Sequence, residues 1–266
     1  MSASSRPRSN SFAAAARGPS WPEVVRIFAR QRLMPLSDFL GSAVGAALVL
    51  LAQSAFLSGI DSSGESLRYI VLARIAFAAS GGQYLERYLI NGYMSGSLLT
   101  SMLAPPDPIR LLAARSISGA LASLATILPA MLLVAAVFRV PAGLPWPNLA
   151  LFLASSVFSW GAAMGLSLIT AYLGVALKQD EAAVQLKVFI TQLGSGALIP
   201  IYLYPKWLQR VLSWLPFVHM ADTPAAMALG AGPGRLGVQI LWAAGLLWAG
   251  AALWRRRMRR LEVYGG

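Results

Sequence analysis

LALFLASSVFSWGAAMGLSLITAYLGVAL, residues Leu149–Leu177, carries no charged side chain from end to end. A helix rises about 1.5 Å per residue, so roughly 20 apolar residues cross the ~30 Å hydrocarbon core of a bilayer. This stretch is longer than that. Five more share its character: Asp38–Leu57, Ser66–Leu85, Ile117–Phe138, Leu186–Leu203 and Leu236–Trp254. Only helices or closed barrels satisfy every backbone group in lipid, and continuous apolarity without period-two alternation excludes the barrel. The 266 residues therefore read as an all-α polytopic membrane protein with six transmembrane helices.

Composition agrees. Hydrophobic residues make up 57% of the chain and charged residues 12%, with a mean hydropathy of +0.61, outside the range of soluble domains. The net charge of +12 invites a nucleic-acid reading, but the placement of the charges argues against it. Most Lys and Arg fall in the first 32 residues, in Glu86–Arg115, in Lys178–Lys187 and in Arg255–Arg260. Threading six spans puts all four groups on one side. The other side holds Arg139, Lys206, Arg210 and Arg235, with Arg68 near its edge. Such asymmetry places both termini in the cytoplasm and points to lipid, with no nucleic-acid partner. The absence of cysteine excludes disulfides and thiol chemistry.

Residues 1–20, rich in Ser, Arg and Ala, read as a flexible basic tail able to rest on anionic lipid. Trp21–Leu36 reads as an amphipathic interfacial helix. Pro22 and Glu23 suit its first turn, Val24, Ile27 and Phe28 share one face, and Arg26 and Arg30 share another. The alternative is the first turns of a long opening span.

Two segments interrupt the pattern of spans. In the first, NGYMSGSLLTSMLAPPDPIRLLAAR (91–115), Ser97–Leu103 can form a short helix with a ridge of Leu98, Leu99, Met102 and Leu103. Pro105, Pro106 and Pro108 then stop it. Such a ridge beside water needs lipid, a partner or its own bundle to cover it. In the second, Thr191–Gly230, prolines 200, 205, 216 and 224 punctuate apolar sequence. Pro205 suits a helix start, followed by Trp207, Leu208, Val211, Leu212 and Leu215 on one face and Lys206, Gln209, Arg210 and Ser213 on the other. A further helix is expected with Asp222 or Thr223 as cap, Pro224 at its first position and Gly230 at its close. These read either as two half-helices dipping into the outer leaflet or as an amphipathic loop lying on headgroups.

Within the spans, Arg74 stands where a charge costs at least about 2.5–3.5 kcal/mol. Its same-face neighbours Ile70, Val71, Phe77 and Ala78 bring no carboxylate. Arg74 is thus a candidate for a transport path or for a structural hydrogen bond. Gln83, Tyr84, Glu86 and Arg87 could line an inner vestibule or mark the interface; Trp160 and Gln192 are weaker candidates. Gly41–Gly45 and Gly161–Gly165 allow close helix approach, between chains or within one bundle. His219, the only histidine, leaves metal clusters and most acid–base pairs unavailable. An intramembrane enzyme is therefore disfavoured. A proton-coupled carrier would need a buried carboxylate, for which Glu86 is the nearest candidate.

The order of these parts resembles the permeases of type-2 ABC exporters, the short six-span ABC-2 subgroup, over residues 21–266. The basic entry helix, two spans, and a cytoplasmic G-x-L-x-x-x-L-x-x-P segment match, the last reading Gly96, Leu98, Met102–Leu103 and Pro105, then Pro108–Ile109 and Arg115. Met102 stands where the pattern has leucine. The proline-punctuated outer segment (IYLYPKWLQRVLSWLPFVHMADTPAAMALG) and the basic ending RRMRRLEVYGG complete the likeness. The resemblance implies an exporter half without its own ATPase and without a resident cofactor or metal. Two cytosolic ABC ATPase subunits would bind ATP and Mg. A second permease chain, identical or paralogous, would complete the path in the inner membrane of a prokaryote. Gly96, Leu98, Leu99, Met102, Leu103, Pro105 and Pro106 would form the coupling segment (91–115). Pro200, Pro205, Trp207, Pro216, His219 and Pro224 would belong to an outer gate (204–230). The cargo implied is a small amphipathic or hydrophobic molecule such as a drug, natural product or lipid.

Overall fold

The computed structural model describes residues 36–60, 64–81, 84–98, 108–141, 143–178 and 180–264. The expected basic tail and interfacial helix lie outside them apart from Leu36, which opens α1, as do Gln83, Leu99, Met102, Leu103, Pro105 and Pro106. Among the described residues the longer elements are all helices: α1 Leu36–Ile60, α2 Glu65–Ala79, α3 Tyr84–Met94, α4 Pro108–Val137, α5 Trp146–Leu177, α6 Asp180–Gly194, α7 Lys206–Ser213, α8 Val218–Ala228 and α9 Leu236–Tyr264. Single 3-10 turns precede α7 (Ile201–Leu203) and α9 (Pro233–Arg235).

Among the described residues, four helices are long and apolar enough to cross a membrane: Leu40–Gly59, Leu111–Val137, Trp146–Leu177 and Pro233–Arg257. The second and fifth apolar stretches are built differently. Ser66–Leu85 is not one helix: α2 ends at Ala79, Gly81 takes φ +94, and α3 starts at Tyr84. A side chain on Gly81 would sit 3.3 Å from the Ser116 carbonyl, so the turn lies against α4. The fifth helix begins before Leu186, at Asp180, and stops at Gly194, before Leu203. Its polar start places Lys187 inside a helix, not in a basic loop. α4 likewise starts early, because Pro108 opens it at a position where the missing N–H costs nothing. The basic ending continues α9 to Tyr264.

α5 is the central element, packing against α3, α6, α8 and α9, while α1 lies on α4, and α2 on α4 and α8. The closest approach is α5 to α9. A Cβ on Gly165 would fall 2.4 Å from the Leu246 carbonyl carbon, and one on Gly250 would fall 2.7 Å from the Gly165 oxygen. Trp254 Nε1 donates to the Leu168 carbonyl at 2.6 Å and completes this seam. The Gly161–Gly165 pattern therefore serves packing within one bundle. Gly41 and Gly45 face open space on α1. Leu48, Phe56, Leu132, Leu241 and Trp248 are exposed on the bundle exterior, a surface that water would not tolerate and lipid tails cover.

Candidate functional site

The non-helical stretch after α6 organises the end of the bundle opposite Arg87, Lys178 and Arg255. Ser195 and Ala197 are fully buried there, so their backbone groups need partners inside the protein. The Ser195 carbonyl accepts from the Asp222 N–H at 2.9 Å, and Ser195 Oγ accepts from the Ala197 N–H at 3.3 Å. Gln53 of α1 donates its amide Nε2 to the carbonyls of Ala197 and Leu198. Arg74 fixes that amide by donating Nη2 to Gln53 Oε1 at 2.9 Å. The guanidinium flagged in the second span thus finds a neutral side chain from the first. That hydrogen bond joins α2 to α1.

Beside this break lies a cavity of about 700 Å³ whose lining includes Glu65, Tyr69, Tyr202, Gln209, Asp222 and Arg235. Tyr69 donates its hydroxyl to Asp222 Oδ1 at 2.6 Å, and Arg235 donates Nη1 to Oδ2 at 2.6 Å. Asp222 is thereby a buried carboxylate held from both sides, and no helix cap. The rings of Tyr69 and Tyr202 meet edge to face, centroids 5.7 Å apart, and the Tyr202 hydroxyl bonds Ser66 Oγ. Gly196, at φ +81, leaves room for the Tyr69 hydroxyl, which would lie 2.6 Å from any Cβ there. Gln209 of α7 donates to the carbonyls of Tyr202 and Tyr204 and holds the 3-10 turn to that helix.

α8 starts earlier than the prolines suggested. It begins at Val218, so Pro224 lies inside it and not at its first position. Pro216 and Phe217 accept the first N–H groups, from His219 and Met220. The helix closes on Gly230 at φ +101, with the Ala231 N–H reaching back to Ala226. His219 is buried in this helix, and its Nδ1 shares a hydrogen bond with Thr223 Oγ1 at 2.9 Å. Burial, with the Arg235 charge adding to it, pushes the imidazole down to about 4. Its carbonyl joins a network between α5, α8 and α9. Gln239 Nε2 donates to the His219 carbonyl at 2.8 Å and the Ser155 carbonyl at 2.9 Å, while Ser155 Oγ donates to Gln239 Oε1 at 2.8 Å. The apolar face of α7 divides: Leu212 turns inward, while Trp207 and Val211 are exposed, as is Trp214 just after the helix. Pro200 and Pro205 precede the 3-10 turn and α7 respectively.

At the basic end, Lys187 of α6 donates to Glu86 Oε1 of α3 at 2.7 Å and to Ser167 Oγ of α5 at 2.8 Å. The side chains are 8% and 0% exposed. Arg87 and Glu181 form an exposed pair nearby at 2.9 Å. Leu98 is 1% exposed and packs against Gly92, in one cluster with Leu89, Leu168 and Trp254. Of the expected apolar ridge, then, its first leucine is covered by its own bundle. Tyr84 opens α3, Gln192 is half-buried on α6, and Trp160 is half-buried on α5 with its Nε1 enclosed. The hydrogen bond of Arg74 goes to Gln53 and does not gather Trp160 or Gln192 into one path.

A family model described as ABC-2 family transporter protein matches residues 74–265. The chain belongs to the ABC-2 transporter family. It is an ABC permease, a multi-pass membrane protein of a class that works with ABC ATPase subunits. No curated protein matches the sequence. The matched region takes in the buried ion pair, the Gln239 network, Asp222 and Arg235; Gln53, Glu65 and Tyr69 precede it. Glu86, Asp222 and Arg235 were named in the sequence without their partners, whereas Gln53, Tyr69 and Gln239 escaped it because each is polar on a mostly apolar helix and acquires meaning only from a distant partner. Gln53 and Gln239, uncharged amides within spans, were the available signal.

Proposed function

We propose that this permease is the transmembrane half of an ATP-driven exporter. It moves a small amphipathic or hydrophobic molecule out of the cytoplasm, across the inner membrane of a prokaryote, with both termini cytoplasmic. Two cytosolic ATPase subunits bind ATP and Mg, and a second permease chain, identical or paralogous, completes the path. The basic end faces those subunits, as the positive-inside rule requires. One observation carries the mechanism: Lys187 ties α3, which leads into the coupling segment, to α6. The far end of α6 passes directly into Ser195, whose carbonyl holds Asp222 at the cavity. ATP-driven movement of the 91–115 segment is passed along α3 and α6 to the outer half-helices.

The test uses the permease co-expressed with its ATPase. Leu103→Glu and Met102→Glu leave the chain inserted but abolish ATPase co-purification and transport. Leu98 is unsuitable for this purpose, since a charge there disrupts its own bundle. Unchanged transport in both variants, or transport by the permease alone under a pH gradient, overturns the proposal.

A further inference from the structure

Lys187 is answered by Glu86, and Arg235 by Asp222. Arg74 has no such answer: among the described residues it forms no ion pair. One N–H of its Nη2 goes to the neutral Gln53 Oε1 at 2.9 Å, and its Nε is enclosed without an acceptor among the described residues. A guanidinium carries five N–H donors, so most of this one's capacity is unused. The surrounding helices bring no carboxylate to its level. α2 packs on α1, α4, α5 and α8. α4 and α5 contain no acidic residue, and Asp222 of α8 is held by Tyr69 and Arg235. At about 1.5 Å per residue, Asp38 of α1 stands roughly 22 Å along that helix from Gln53, and Glu65 of α2 roughly 13 Å from Arg74. The second distance also measures depth. Glu65 lines the cavity at the end of the bundle, and the interfacial layer of a bilayer is only about 5–7 Å thick. Arg74 thus lies at hydrocarbon depth, where an ionisable side chain points to function.

Gln53 shares a face of α1 with Val49, one turn before it, and Phe56, one turn after. Both are exposed, at 58% and 69%. The partly buried Arg74 therefore stands beside an apolar surface that opens out of the bundle. A cationic ligand would meet a like charge, and a neutral one would leave that charge unmatched. We infer that Arg74 is an anion subsite inside the membrane, taking the carboxylate, phosphate or sulfate of an amphiphile whose hydrocarbon lies over Val49 and Phe56. A guanidinium binds such groups with two parallel N–H donors, and binds them more strongly where water is scarce. Gln53 keeps its one N–H throughout. Depth selects the occupant: a resident lipid holds its headgroup at the interface, so the oxyanion at Arg74 belongs to a molecule in passage. The oxyanion chemistry rests on Arg74 alone, and naming its bearer as cargo rests on the exporter reading.

Full-length permease in a maltoside detergent is titrated with laurate and with dodecyltrimethylammonium, which share a chain length, and binding is read by native mass spectrometry. Laurate binds at least about tenfold more tightly. Arg74→Gln brings the two probes level, and Arg74→Lys keeps part of the difference, as a point charge without the planar fork. Arg256→Gln, at an exposed position of the basic end, keeps all of it. On the parent protein, hydrogen exchange places the site without any variant: laurate slows exchange around Gln53 and Ala197–Leu198. Equal binding of both probes by the parent, a preference kept in folded Arg74→Gln, or slowing confined to the Arg255–Arg256 end overturns the assignment. None of these outcomes touches the exporter reading, which ATPase co-purification and transport test separately. Nanodiscs then separate the sources. Laurate displaced by phosphatidylglycerol but not by phosphatidylcholine overturns the cargo in favour of a lipid, and laurate bound equally in both supports it.

Discussion

Replacing Lys187 with methionine keeps most of the side-chain volume and removes the charge. Glu86 would then be left fully buried, with Oε1 stripped of its 2.7 Å ammonium. Its Oε2 is already enclosed without a hydrogen bond among the described residues. Removing one member of a buried pair costs about 3–5 kcal/mol, because the survivor stays desolvated. The lower end of that range, about 3 kcal/mol, is the loss expected here. At about 2–4 °C per kcal/mol for a chain of this size, Lys187→Met lowers Tm by roughly 10 °C. Glu86→Gln combined with Lys187→Met removes both charges and recovers most of the loss, since buried pairs replaced whole are often neutral. A double-mutant cycle on purified protein in detergent, followed by tryptophan fluorescence, yields a coupling of at least about 2 kcal/mol. Arg87→Met is the internal control. Its partner Glu181 is 57% exposed, so the change stays within about 1 kcal/mol. Equal stability of Lys187→Met and the parent, or a double variant no better than the worse single one, would refute the reasoning.

Three further outcomes test the rest of the bundle. Gly165→Ala forces a Cβ to 2.4 Å from the backbone of Leu246 and costs upward of about 3 kcal/mol, so the folded peak disappears in size-exclusion chromatography. Gly45→Ala, with nothing within 4 Å, leaves that peak unchanged. Gln239→Leu strips the His219 and Ser155 carbonyls of one donor each; a loss of about 1–3 kcal/mol is expected in thermal melts. His219, held neutral in the fold with its pKa lowered to about 4, gives a pH dependence of defined sign. Its contribution is complete above about pH 6.5, is lost as pH falls toward 4 because the unfolded chain takes up the proton, and is constant below. His219→Gln flattens that segment of a Tm–pH curve.

The spans were legible because apolar length alone decides them, and Leu149–Leu177 forms α5 almost as delimited. The breaks were not. Ser66–Leu85 and Leu186–Leu203 are still long and apolar enough to be read as spans, and Gly81 and Gly196 differ from the packing glycines in backbone angle. Gly41–Gly45 and Gly161–Gly165 share one spacing, yet one faces outward and the other lies under Leu246. Spacing reports that an approach is permitted and is silent on what approaches. Lys187 sits three residues after Val184 and four before Thr191, both buried, on the inner face of α6. That face could be read from sequence. Its partner Glu86, 101 residues away, could not. Pro224 misled for a related reason: Pro216 and Phe217 supply the first acceptors of α8, so the helix begins before the residue that would otherwise start it.

The same reasoning explains why an arginine occurs in a span without a counter-charge. Irregular backbone at membrane depth survives only where protein supplies its hydrogen bonds. The stretch after Gly194 obtains them from Gln53, and an amide free to rotate could present its oxygen instead. Arg74 donates to that oxygen and so fixes the Nε2 group toward Ala197 and Leu198. The charge therefore acts at one remove. It orients an amide, the amide holds the break, and the break lets Ser195 reach Asp222 and Gly196 admit the Tyr69 hydroxyl. Arg74→Leu would spare insertion, yet it would loosen the floor of the cavity without touching anything that lines it.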